Sequence, residues 1–504
     1  MPLVTTLSSL AKAYRRYSTS TLRDVVIAVG SNQGKTFSNF TAALGLLKKH
    51  SCQVVRYSRL YETAPAYVLD QPPFLNAAVV VRTSLSPESL LTTLKNVEAS
   101  LGRQAGGQRW GPRPIDLDIV FYHAPQVLSL DLQEASQQQA APSESTAQEA
   151  DVDGLGSTCM GSEPAADEGG GQSIHPALRD QLWDAYRCWN EWKSTSLQGS
   201  AAGVQGQGKV DIRCVLPMGK LGCWAWQGRS HIMGILNITP DSFSDGGQIT
   251  SVQQAVQQAR RLAEDGADML DVGGQSTRPG AAFLSAEDEL ERVLPVIRAL
   301  ASDEALTGVA ISIDTFHARV ASEAVAAGAH LVNDVSGGTM DPHMYSVVAD
   351  LEVPYIMMHM RGSPATMQQP KNTAYRDACT EVGAELGHRI QNAVAAGIQP
   401  WRIITDPGIG FSKQAAENFR LIAGLRRFRY ALPAPMQHMP MLVGPSRKRF
   451  LGDLLGSQDN AVRDRATAVA ASLCIAGSAN IIRAHNAAIV REALAVADAT
   501  YQQS

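Results

Sequence analysis

The chain has 504 residues, of which 44% are hydrophobic, so it is long enough to form two to four domains with large cores. Its formal net charge of −4 excludes the overall basic surface by which many proteins bind nucleic acid or anionic membranes. The seven cysteines show no CxxC spacing, which argues against a structural zinc site and a disulfide framework, and no apolar run approaches the ~20 residues of a membrane span.

The first 23 residues differ in composition from the rest of the chain. They carry Lys12, Arg15, Arg16 and Arg23, many serines and threonines, and no acidic residue. This composition is typical of a transit peptide, which we predict over residues 1–23. The mitochondrial matrix is the favoured destination, with the plastid or the cytosol as alternatives, and a disordered basic tail is the simpler interpretation.

The first folded unit is predicted over residues 24–193. A strand, VVIAVGS, leads to a helix from Thr36 to Lys49, and two strands follow, VVRYSRLYET and FLNAAVVVRTSL. A second helix begins after the N-cap residue Ser86 and ends near Gly102, and the strand IDLDIVFY follows it. The order βαββαβ is that of a ferredoxin-like α/β sandwich.

Two carboxylates share one face of that last strand. Side chains alternate along a strand, so Asp116 and Asp118 point away from the apolar Leu117 and Ile119. Their Cα atoms are expected ~6–7 Å apart. The pair is either part of a charged outer face or a clamp for a cation, and the strand alone leaves both interpretations open.

Two segments are predicted to interrupt the folded units. Residues 125–172 are acidic, low in complexity and without Lys or Arg, so they bury too little apolar surface to offset their ordering entropy. Residues 194–209 are rich in Gly, Ser and Gln, which is typical of a flexible linker. A second folded unit is therefore predicted over residues 210–504.

The second unit repeats a single pattern. Eight short apolar runs are separated by segments of mostly helical length: HIMGILNIT, ADMLDVGG, VAISIDTF, HLVNDVSG, VPYIMMHM, WRIITDPG, PMLVGPSR and ANIIRAH. Strands that are buried on both faces have this appearance, and eight of them predict a (β/α)8 barrel. The predicted fold class is α/β, with a ferredoxin-like sandwich followed by a TIM barrel.

Polar residues cluster directly after the predicted barrel strands, at the end where such barrels place their sites. Any one of them is as often a helix cap or a turn former, but the same feature at all eight strands indicates a binding site. Asp314, Asn333, Asp406 and Lys448 suit a flat, nitrogen-rich heterocycle. A second group suits a diphosphate or a metal–phosphate unit, namely Asn237, Arg278, Arg483 and His485.

The second unit contains, in order, the motifs MGILNITPDSFSDGG, DVGGQSTRPGA, ISIDTF, NDVSGG, MHMRGSPATMQ, DPGIGFSK, VGPSRKRFLG and IIRAHN. Together they resemble dihydropteroate synthase, which joins 6-hydroxymethyl-7,8-dihydropterin diphosphate to p-aminobenzoate and releases pyrophosphate. The resemblance implies that the heterocycle group holds the pterin and that the second group holds the diphosphate and Mg²⁺. Asn237 would be the metal ligand, and Arg278 and Lys448 would be catalytic. Further substrate-binding positions that it implies are Thr277, Pro279, Phe411 and Ser446.

The first unit contains three spaced motifs, AVGSNQG, YETAPAYVLDQPPFLNAAV and RWGPRPIDLDI. Together they resemble 6-hydroxymethyl-7,8-dihydropterin pyrophosphokinase. The resemblance implies that Asp116 and Asp118 bind Mg²⁺ and the ATP phosphates, with Arg103 and Arg113 as further catalytic residues. Other contacts that it implies are Phe74, Asn76 and Trp183 for the pterin, and Arg109, Arg113 and His175 for ATP. Trp110 would be a substrate-binding residue of the catalytic loop, to which Arg103, Arg109 and Arg113 also belong.

One segment departs from the pyrophosphokinase pattern. After the acidic insertion the chain reads SIHPALRDQLW, which keeps His175, but Gln181 stands where an arginine is expected, with Arg179 nearby. The bare chemistry still agrees with a kinase, because phosphoryl transfer depends on charge neutralisation and Mg²⁺ prefers carboxylates plus phosphate oxygens.

The sequence therefore predicts a bifunctional enzyme of folate synthesis, with ATP as co-substrate, Mg²⁺ in both units and small molecules as its ligands. No nucleic-acid or membrane partner is expected. A homodimer through the barrel is expected because related barrels commonly pair. Two alternatives stay open: a pterin-dependent methyltransferase barrel, and a degenerate first unit that serves as a scaffold for an active synthase.

Overall fold

The computed structural model describes residues 22–65, 68–104, 106, 108, 110–122, 212–238, 251–275 and 283–501. The acidic insertion, the linker and most of the predicted transit peptide lie outside these ranges. Six predicted site residues lie outside them too, namely Arg109, His175, Trp183, Thr277, Arg278 and Pro279. The first strand begins at Arg23, whose guanidinium donates a hydrogen bond of 3.0 Å to the Tyr122 hydroxyl, so the last residue of the predicted transit peptide is part of the folded sheet.

The first unit is an antiparallel sheet packed against two helices. Its strands are β1 Arg23–Ser31, β2 Cys52–Tyr57, β3 Tyr61–Thr63, β4 Phe74–Thr83 and β5 Asp116–Tyr122. Its helices are α1 Thr36–Lys49 and α2 Pro87–Ser100. The spatial order β5-β1-β4-β2 confirms the predicted ferredoxin-like sandwich.

Alternation divides this sheet into two faces. Val25, Ile27 and Val29 of β1 are buried in the core with residues of the two helices, because side chains of a strand point alternately to either face. The intervening residues of β4 and β5 are only half-buried, and they include Asn76 and Asp116. The predicted kinase residues therefore occupy the face opposite the helices.

The predicted strand VVRYSRLYET is two strands in the structure. β2 pairs with the C-terminal part of β4, whereas β3 pairs with its N-terminal part. Between them the Ser58 hydroxyl accepts a hydrogen bond of 2.8 Å from the Ala78 amide, and the register of β2 shifts at a bulge. No glycine or proline marks this break, so alternation in the sequence predicts one continuous strand.

The second unit is a barrel of eight parallel strands. They are β8 His231–Asn237, β9 Met269–Gly273, β10 Ala310–Asp314, β11 Leu331–Asp334, β12 Tyr355–Met358, β13 Ile403–Asp406, β14 Leu442–Val443 and β15 Ile481–Ala484. A bridge between Thr405 and Met441 joins the two ends of the strand order and closes the barrel. The predicted (β/α)8 barrel is confirmed.

Helices surround the barrel. They are α3 Val252–Glu264, α4 Ala286–Ala301, α5 Ala318–Ala327, α6 Met344–Leu351, the short α7 Pro370–Thr373, α8 Ala378–Ala395, α9 Ala415–Ala423, α10 Leu425–Ala431, α11 Arg449–Leu455, α12 Asn460–Ala476 and α13 Ala487–Tyr501. None of the helices in the described ranges combines the length and the apolar composition that a membrane crossing requires.

A β-hairpin precedes the barrel. Its strands are β6 Ile212–Pro217 and β7 Cys223–Ala225, and β6 also pairs with β3 of the first sheet. The sequence pattern predicts no strand here, because these residues form neither a long apolar run nor a clear alternation.

Candidate active sites

Six of the predicted substrate-binding side chains line one pocket at the C-terminal ends of the barrel strands. Asp314 and Asn333 are register partners on neighbouring strands, and Asp406 ends β13. Lys448 and Arg483 complete the polar lining. Phe411 is the sixth predicted residue, and the remaining lining residues are Val335, Met358, Ile409 and Gly444.

An ion-pair cluster occupies one side of this pocket. Arg483 Nε lies 2.6 Å from Asp271 Oδ2, and Arg483 Nη2 lies 2.7 Å from Asp314 Oδ2. Asn333 Nδ2 donates a hydrogen bond of 2.9 Å to Asp271 Oδ2. A guanidinium has five N–H donors, and these two contacts engage two of them. Arg483, predicted as a diphosphate ligand, is therefore held in place by two carboxylates.

Burial shifts the pKa values of three pocket residues, Asp314, Asp406 and Lys448, toward neutrality. Burial raises the pKa of Asp314, against the attraction of Arg483. It raises the pKa of Asp406 to about 6, although the Gly408 amide donates a hydrogen bond to this carboxylate. Burial and the charge of Arg483 lower the pKa of Lys448 to about 8. Such perturbed groups are typical of functional sites.

Consecutive side chains of the segment after β14 make different contacts. Arg447, which has a φ of 52°, forms an ion pair of 2.7 Å with Asp464, whereas Lys448 lines the pocket. Ser446 Oγ lies 3.0 Å from His485 Nδ1 and accepts a hydrogen bond of 3.1 Å from the His485 amide. The two predicted substrate residues Ser446 and His485 therefore form one hydrogen-bonded unit.

The loop after β13 provides an aromatic wall of the pocket. The centre of the Phe411 ring lies 4.1 Å from Lys448 Nζ. A Cβ atom at Gly410, where φ is 85°, would lie 2.7 Å from Lys448 Cδ. A Cβ atom at Gly408 would lie 2.1 Å from the His359 carbonyl oxygen. Both glycines are therefore required for the close passage of this loop.

A buried lysine holds the same loop. Lys413 Nζ donates hydrogen bonds to the carbonyl oxygens of Phe411, at 2.9 Å, and Gly408, at 3.1 Å, and lies 3.1 Å from His359 Nδ1. Burial lowers the pKa of Lys413 to about 7, and burial with the nearby Lys413 lowers that of His359 to about 3. The imidazole is therefore neutral, and its Nε2 lies 3.0 Å from Glu385 Oε2 as a donor.

Asn237 ends β8 beside Gly273, its register partner on β9. A Cβ atom at Gly273 would lie 3.7 Å from Asn237 Oδ1 and 3.6 Å from Asp314 Oδ2, so the amide lies close to the pocket carboxylate. An amide oxygen is an acceptable ligand for Mg²⁺ that also binds phosphate oxygens, so the residue type fits the predicted metal role. Thr277 and Arg278, the predicted neighbours of this site, lie outside the described residues.

In the first unit, one glycine brings the predicted pterin and metal residues together. Gly30 of β1 is the register partner of Asn76 on β4 and of Asp116 on β5. A Cβ atom at Gly30 would lie 3.0 Å from Asn76 Oδ1 and 3.8 Å from Asp116 Cβ. Phe74 lies two residues before Asn76, on the same face of β4.

Cations surround the carboxylate pair on β5. Asp116 forms ion pairs with Arg103 and, at 2.7 Å, with Arg113. Lys95 Nζ lies 3.7 Å from Asp118 Oδ1. Burial raises the pKa of Asp118, and the negative charge of Asp116 raises it further. The two carboxylates thus lie among three cationic side chains, Arg103, Arg113 and Lys95.

Asn32 ties the arginine-containing loop to the segment before β4. Its Oδ1 accepts a hydrogen bond of 2.8 Å from the Arg113 amide, and its Nδ2 donates one of 3.0 Å to Gln71 Oε1. Gln71 Nε2 in turn donates to the Trp110 carbonyl oxygen at 2.8 Å. Trp110 itself is 44% exposed, so this predicted substrate-binding residue of the loop lies at the protein surface.

Comparison with known proteins finds a family match for each unit. Residues 26–144 match the family model of 7,8-dihydro-6-hydroxymethylpterin-pyrophosphokinase, and residues 233–485 match that of pterin binding enzymes. The mitochondrial folate synthesis bifunctional protein of Arabidopsis thaliana is 44% identical over 489 residues, which are 95% of this chain and 83% of that protein. The chain belongs to the bifunctional folate synthesis family.

Further comparisons support both halves of this family membership. A second folate synthesis bifunctional protein of A. thaliana is 41% identical over 476 residues, which are 93% of this chain and 94% of that protein. A dihydropteroate synthase of Xanthomonas albilineans, solved with 4-aminobenzoic acid, is 40% identical over 58% of this chain and 99% of its own, with a TM-score of 0.51. This folate synthesis enzyme therefore combines a pyrophosphokinase with a dihydropteroate synthase, which favours the synthase over the methyltransferase alternative.

Several residues that position the sites of this folate synthesis enzyme were not predicted. The sequence contains one feature that could have identified Asp271, because it is a carboxylate inside an otherwise apolar strand. Glu98 carries another, because it follows the buried Leu94 by four residues on the buried side of α2, where its Oε1 accepts a hydrogen bond of 2.8 Å from the Leu117 amide. Lys413 and Asn32 have no such signal in the sequence, because the neighbouring residues do not reveal that a polar side chain after a strand points into the protein.

Proposed function

We propose that the first domain transfers a diphosphate from ATP to the hydroxyl of 6-hydroxymethyl-7,8-dihydropterin, and that the second condenses the product with p-aminobenzoate to give 7,8-dihydropteroate. The arrangement around Gly30 carries the first part, because Asn76 and Asp116 flank it on adjacent strands. The pterin segment and the phosphate cluster are thereby side by side, as transfer between them requires.

In the first reaction the pterin hydroxyl oxygen bonds to the β-phosphorus of ATP, and the bond from that phosphorus to the oxygen of AMP breaks. Arg103 and Arg113 place positive charge beside the phosphates, and the Asn32 contact holds Arg113 in position. Asp116 and Asp118 fit Mg²⁺, which when bound neutralises charge on the ATP phosphates.

In the second reaction the pterin ring lies in the barrel pocket. Asp314, Asn333 and Asp406 offer hydrogen-bonding groups to its nitrogen-rich edge, and Lys448 adds a donor. The nitrogen of p-aminobenzoate bonds to the pterin methylene carbon while the bond from that carbon to the diphosphate oxygen breaks. A neutral aromatic amine is already a nucleophile, so the proton that it loses needs no strong base. Phe411 forms a wall of the approach.

The departing diphosphate requires compensation of its negative charge. Arg483 is fixed by its two carboxylate partners at the pocket, and the hydrogen-bonded Ser446 and His485 lie on the adjoining strand ends. Asn237 fits as a ligand of Mg²⁺ that is bound to the same diphosphate. Stabilisation of charge that develops on the leaving group is the main contribution of the protein to this step.

A pair of carboxylate variants of the full chain tests the kinase site. Asp116→Asn should lower AMP formation from ATP and the pterin alcohol by roughly 100-fold or more, because the charge that holds the metal and the arginines is lost. Condensation of supplied pterin diphosphate with p-aminobenzoate should continue. The control Asp24→Asn alters a carboxylate in an exposed ion pair with Arg82.

Two results would contradict this proposal. AMP formation at the wild-type rate in Asp116→Asn would show that the carboxylate has no catalytic role. Absence of AMP formation in the unaltered chain would support the alternative in which the first domain is a scaffold.

We also propose that the protein enters the mitochondrial matrix. The composition of residues 1–23 supports import, and a relative with 44% identity carries the word mitochondrial in its name. The second bifunctional relative carries no such word, so the experiment must separate compartments. The full chain with a C-terminal fluorescent protein should colocalise with a matrix marker in leaf protoplasts, and plastid or cytosolic fluorescence would contradict the proposal.

An exposed apolar groove between α9, α11 and α12 supports the expected homodimer. Leu454, Val469 and Leu473 are 66%, 64% and 55% exposed, and nine of the ten residues that line the groove are apolar. Exposed apolar patches of this kind mark interfaces, and in a symmetric dimer the same patch of a second copy covers it. In sedimentation velocity the unaltered chain should be a dimer and Val469→Asp a monomer. A monomeric unaltered chain would refute this assignment.

A further inference from the structure

The hairpin β6–β7 lies between the two family matches, which end at residue 144 and resume at residue 233. It nevertheless makes ordered contacts with both domains. Its placement therefore bears on whether the kinase and the barrel are independent units joined by a linker.

On one side the hairpin extends the kinase sheet. β6 pairs antiparallel with β3, with Tyr61 opposite Cys214, and the Val215 amide donates a hydrogen bond of 3.0 Å to the Leu60 carbonyl oxygen. The Val215 side chain is 2% exposed and belongs to the kinase core. Strand β6 is thus part of the sheet of the first domain, although it follows that domain in the sequence.

On the other side the hairpin closes the barrel floor. Because side chains alternate along β6, Cys214 and Leu216 point away from the kinase core, and they are buried in a cluster with Met218 and Trp226. The partners in this cluster come from the N-terminal parts of the eight barrel strands, namely Met233, Met269, Ala310, Leu331, Ile356, Ile404, Leu442 and Ile481. One strand therefore contributes to two hydrophobic cores.

A tryptophan from the barrel reaches the kinase core directly. Trp401 lies just before β13 and is 3% exposed, although it is an aromatic residue of a connecting turn. Its ring packs edge-on against Tyr57, at 5.3 Å between centroids, and against Phe40, at 6.2 Å. Beside it, Gln399 Nε2 lies 3.5 Å from Thr41 Oγ1 of α1.

The hairpin contacts converge on β3, the neighbour of the strand β4 that carries the predicted pterin residues. β3 has only three residues and lies between β4 and β6. Its Thr63 accepts a hydrogen bond of 2.8 Å from Asn76, the predicted pterin ligand. A strand this short is fixed by its neighbours rather than by its own length, so the loss of β6 would leave Asn76 without a fixed partner.

We propose that residues 212–226 and Trp401 form an interdomain clamp by which the barrel completes the kinase fold and fixes β3 beside the predicted pterin-binding strand β4. The surface of the kinase domain at β3, α1 and β2 therefore packs against the N-terminal end of the barrel. The affinity of the kinase for the pterin then depends on barrel residues that lie far from the synthase pocket.

The test uses Trp401→Ala in the full chain, with Trp401→Phe as the matched control that keeps an aromatic ring. In Trp401→Ala, amides of β1 and β3 should exchange with deuterium roughly 100-fold faster than in the unaltered chain, because a buried ring is lost from the kinase core. Exchange in β9 to β11 should change little. The KM of the kinase for the pterin alcohol should rise several-fold more than its kcat falls. Trp401→Phe should restore both readouts.

The exchange measurement does not depend on the proposed kinase reaction, whereas the KM measurement does, so failure of the clamp and failure of the assigned activity are distinguishable. Unchanged exchange of β1 and β3 in Trp401→Ala would refute the clamp. If this variant unfolds altogether, a urea titration of the unaltered chain decides. Coincident loss of protection in β1 and β9 supports the clamp, and two separate transitions overturn it.

Discussion

Replacement of Lys413 by methionine should change how the stability of the barrel depends on pH. The structure buries the amine completely and lowers its pKa to about 7, whereas an unfolded chain restores the ordinary value of 10.5. Between pH 7 and pH 9 the unfolded state therefore binds more protons than the folded state, so stability rises with pH. Integration over this interval gives a contribution of about 2 kcal/mol from Lys413 alone.

The substitution Lys413→Met keeps an unbranched side chain, one atom shorter than lysine, and removes its titration. The free energy of unfolding, obtained from urea titrations monitored by hydrogen exchange in β12 and β13, should rise from pH 7 to pH 9 by about 2 kcal/mol less in the variant than in the unaltered chain. The exposed Lys371→Met is the matched control and should reproduce the unaltered pH dependence. Parallel pH curves for the unaltered chain and Lys413→Met would refute the argument.

The same variant should impair the synthase through the loop that Lys413 holds. Without Nζ, the Gly408 carbonyl oxygen loses its buried donor, and the Phe411 carbonyl oxygen keeps only the Ser412 hydroxyl at 2.7 Å. Loss of such a partner costs about 1–3 kcal/mol, so the loop should become mobile and Phe411 should leave its position beside Lys448. The KM for p-aminobenzoate should therefore rise more than kcat falls, and an unaltered KM would show that the loop is held by its glycines alone.

Three further substitutions test other contacts. Gly410→Ala places a Cβ atom 2.7 Å from Lys448 Cδ in a backbone with positive φ, so synthase kcat/KM should fall by roughly 10-fold or more while AMP formation is kept, and a fully active synthase would contradict the steric argument. Asp271→Asn removes the buried negative charge that pairs with Arg483 and should lower the free energy of unfolding of the barrel by about 3 kcal/mol in a urea titration. An unaltered free energy of unfolding would show that the ion pair does not stabilise the barrel. Asn32→Ala should lower AMP formation by about 10-fold and leave condensation of supplied diphosphate unchanged; equal loss of both activities would indicate misfolding instead.

The fold could be predicted from the sequence wherever local patterns determine structure. Strands that are buried on both faces appear as apolar runs, and eight of them specify the barrel because few other folds bury so many. The helix that begins after Ser86 carries its own cap, and the structure shows the Ser86 hydroxyl accepting from the Ser89 amide at 3.2 Å. Patterns of this kind require no knowledge of distant residues.

The parts that could not be predicted depend on distant partners. β6 owes its conformation to β3, more than a hundred residues earlier in the sequence, and no local turn signal separates β2 from β3. The pocket residues followed from their positions at strand ends, but the pairing of Arg483 with Asp271 depends on how strands β9 and β15 face each other across β8. Side-chain direction after a strand end is likewise a property of the assembled barrel.

The closed floor of the barrel has a consequence for the pathway as a whole. The synthase pocket opens at the C-terminal ends of the strands, whereas the kinase domain is attached at their N-terminal ends. The length of the barrel therefore separates the kinase attachment from the synthase pocket. Fusion fixes the ratio of the two activities, because every chain brings one kinase domain and one synthase domain to the same compartment at any expression level.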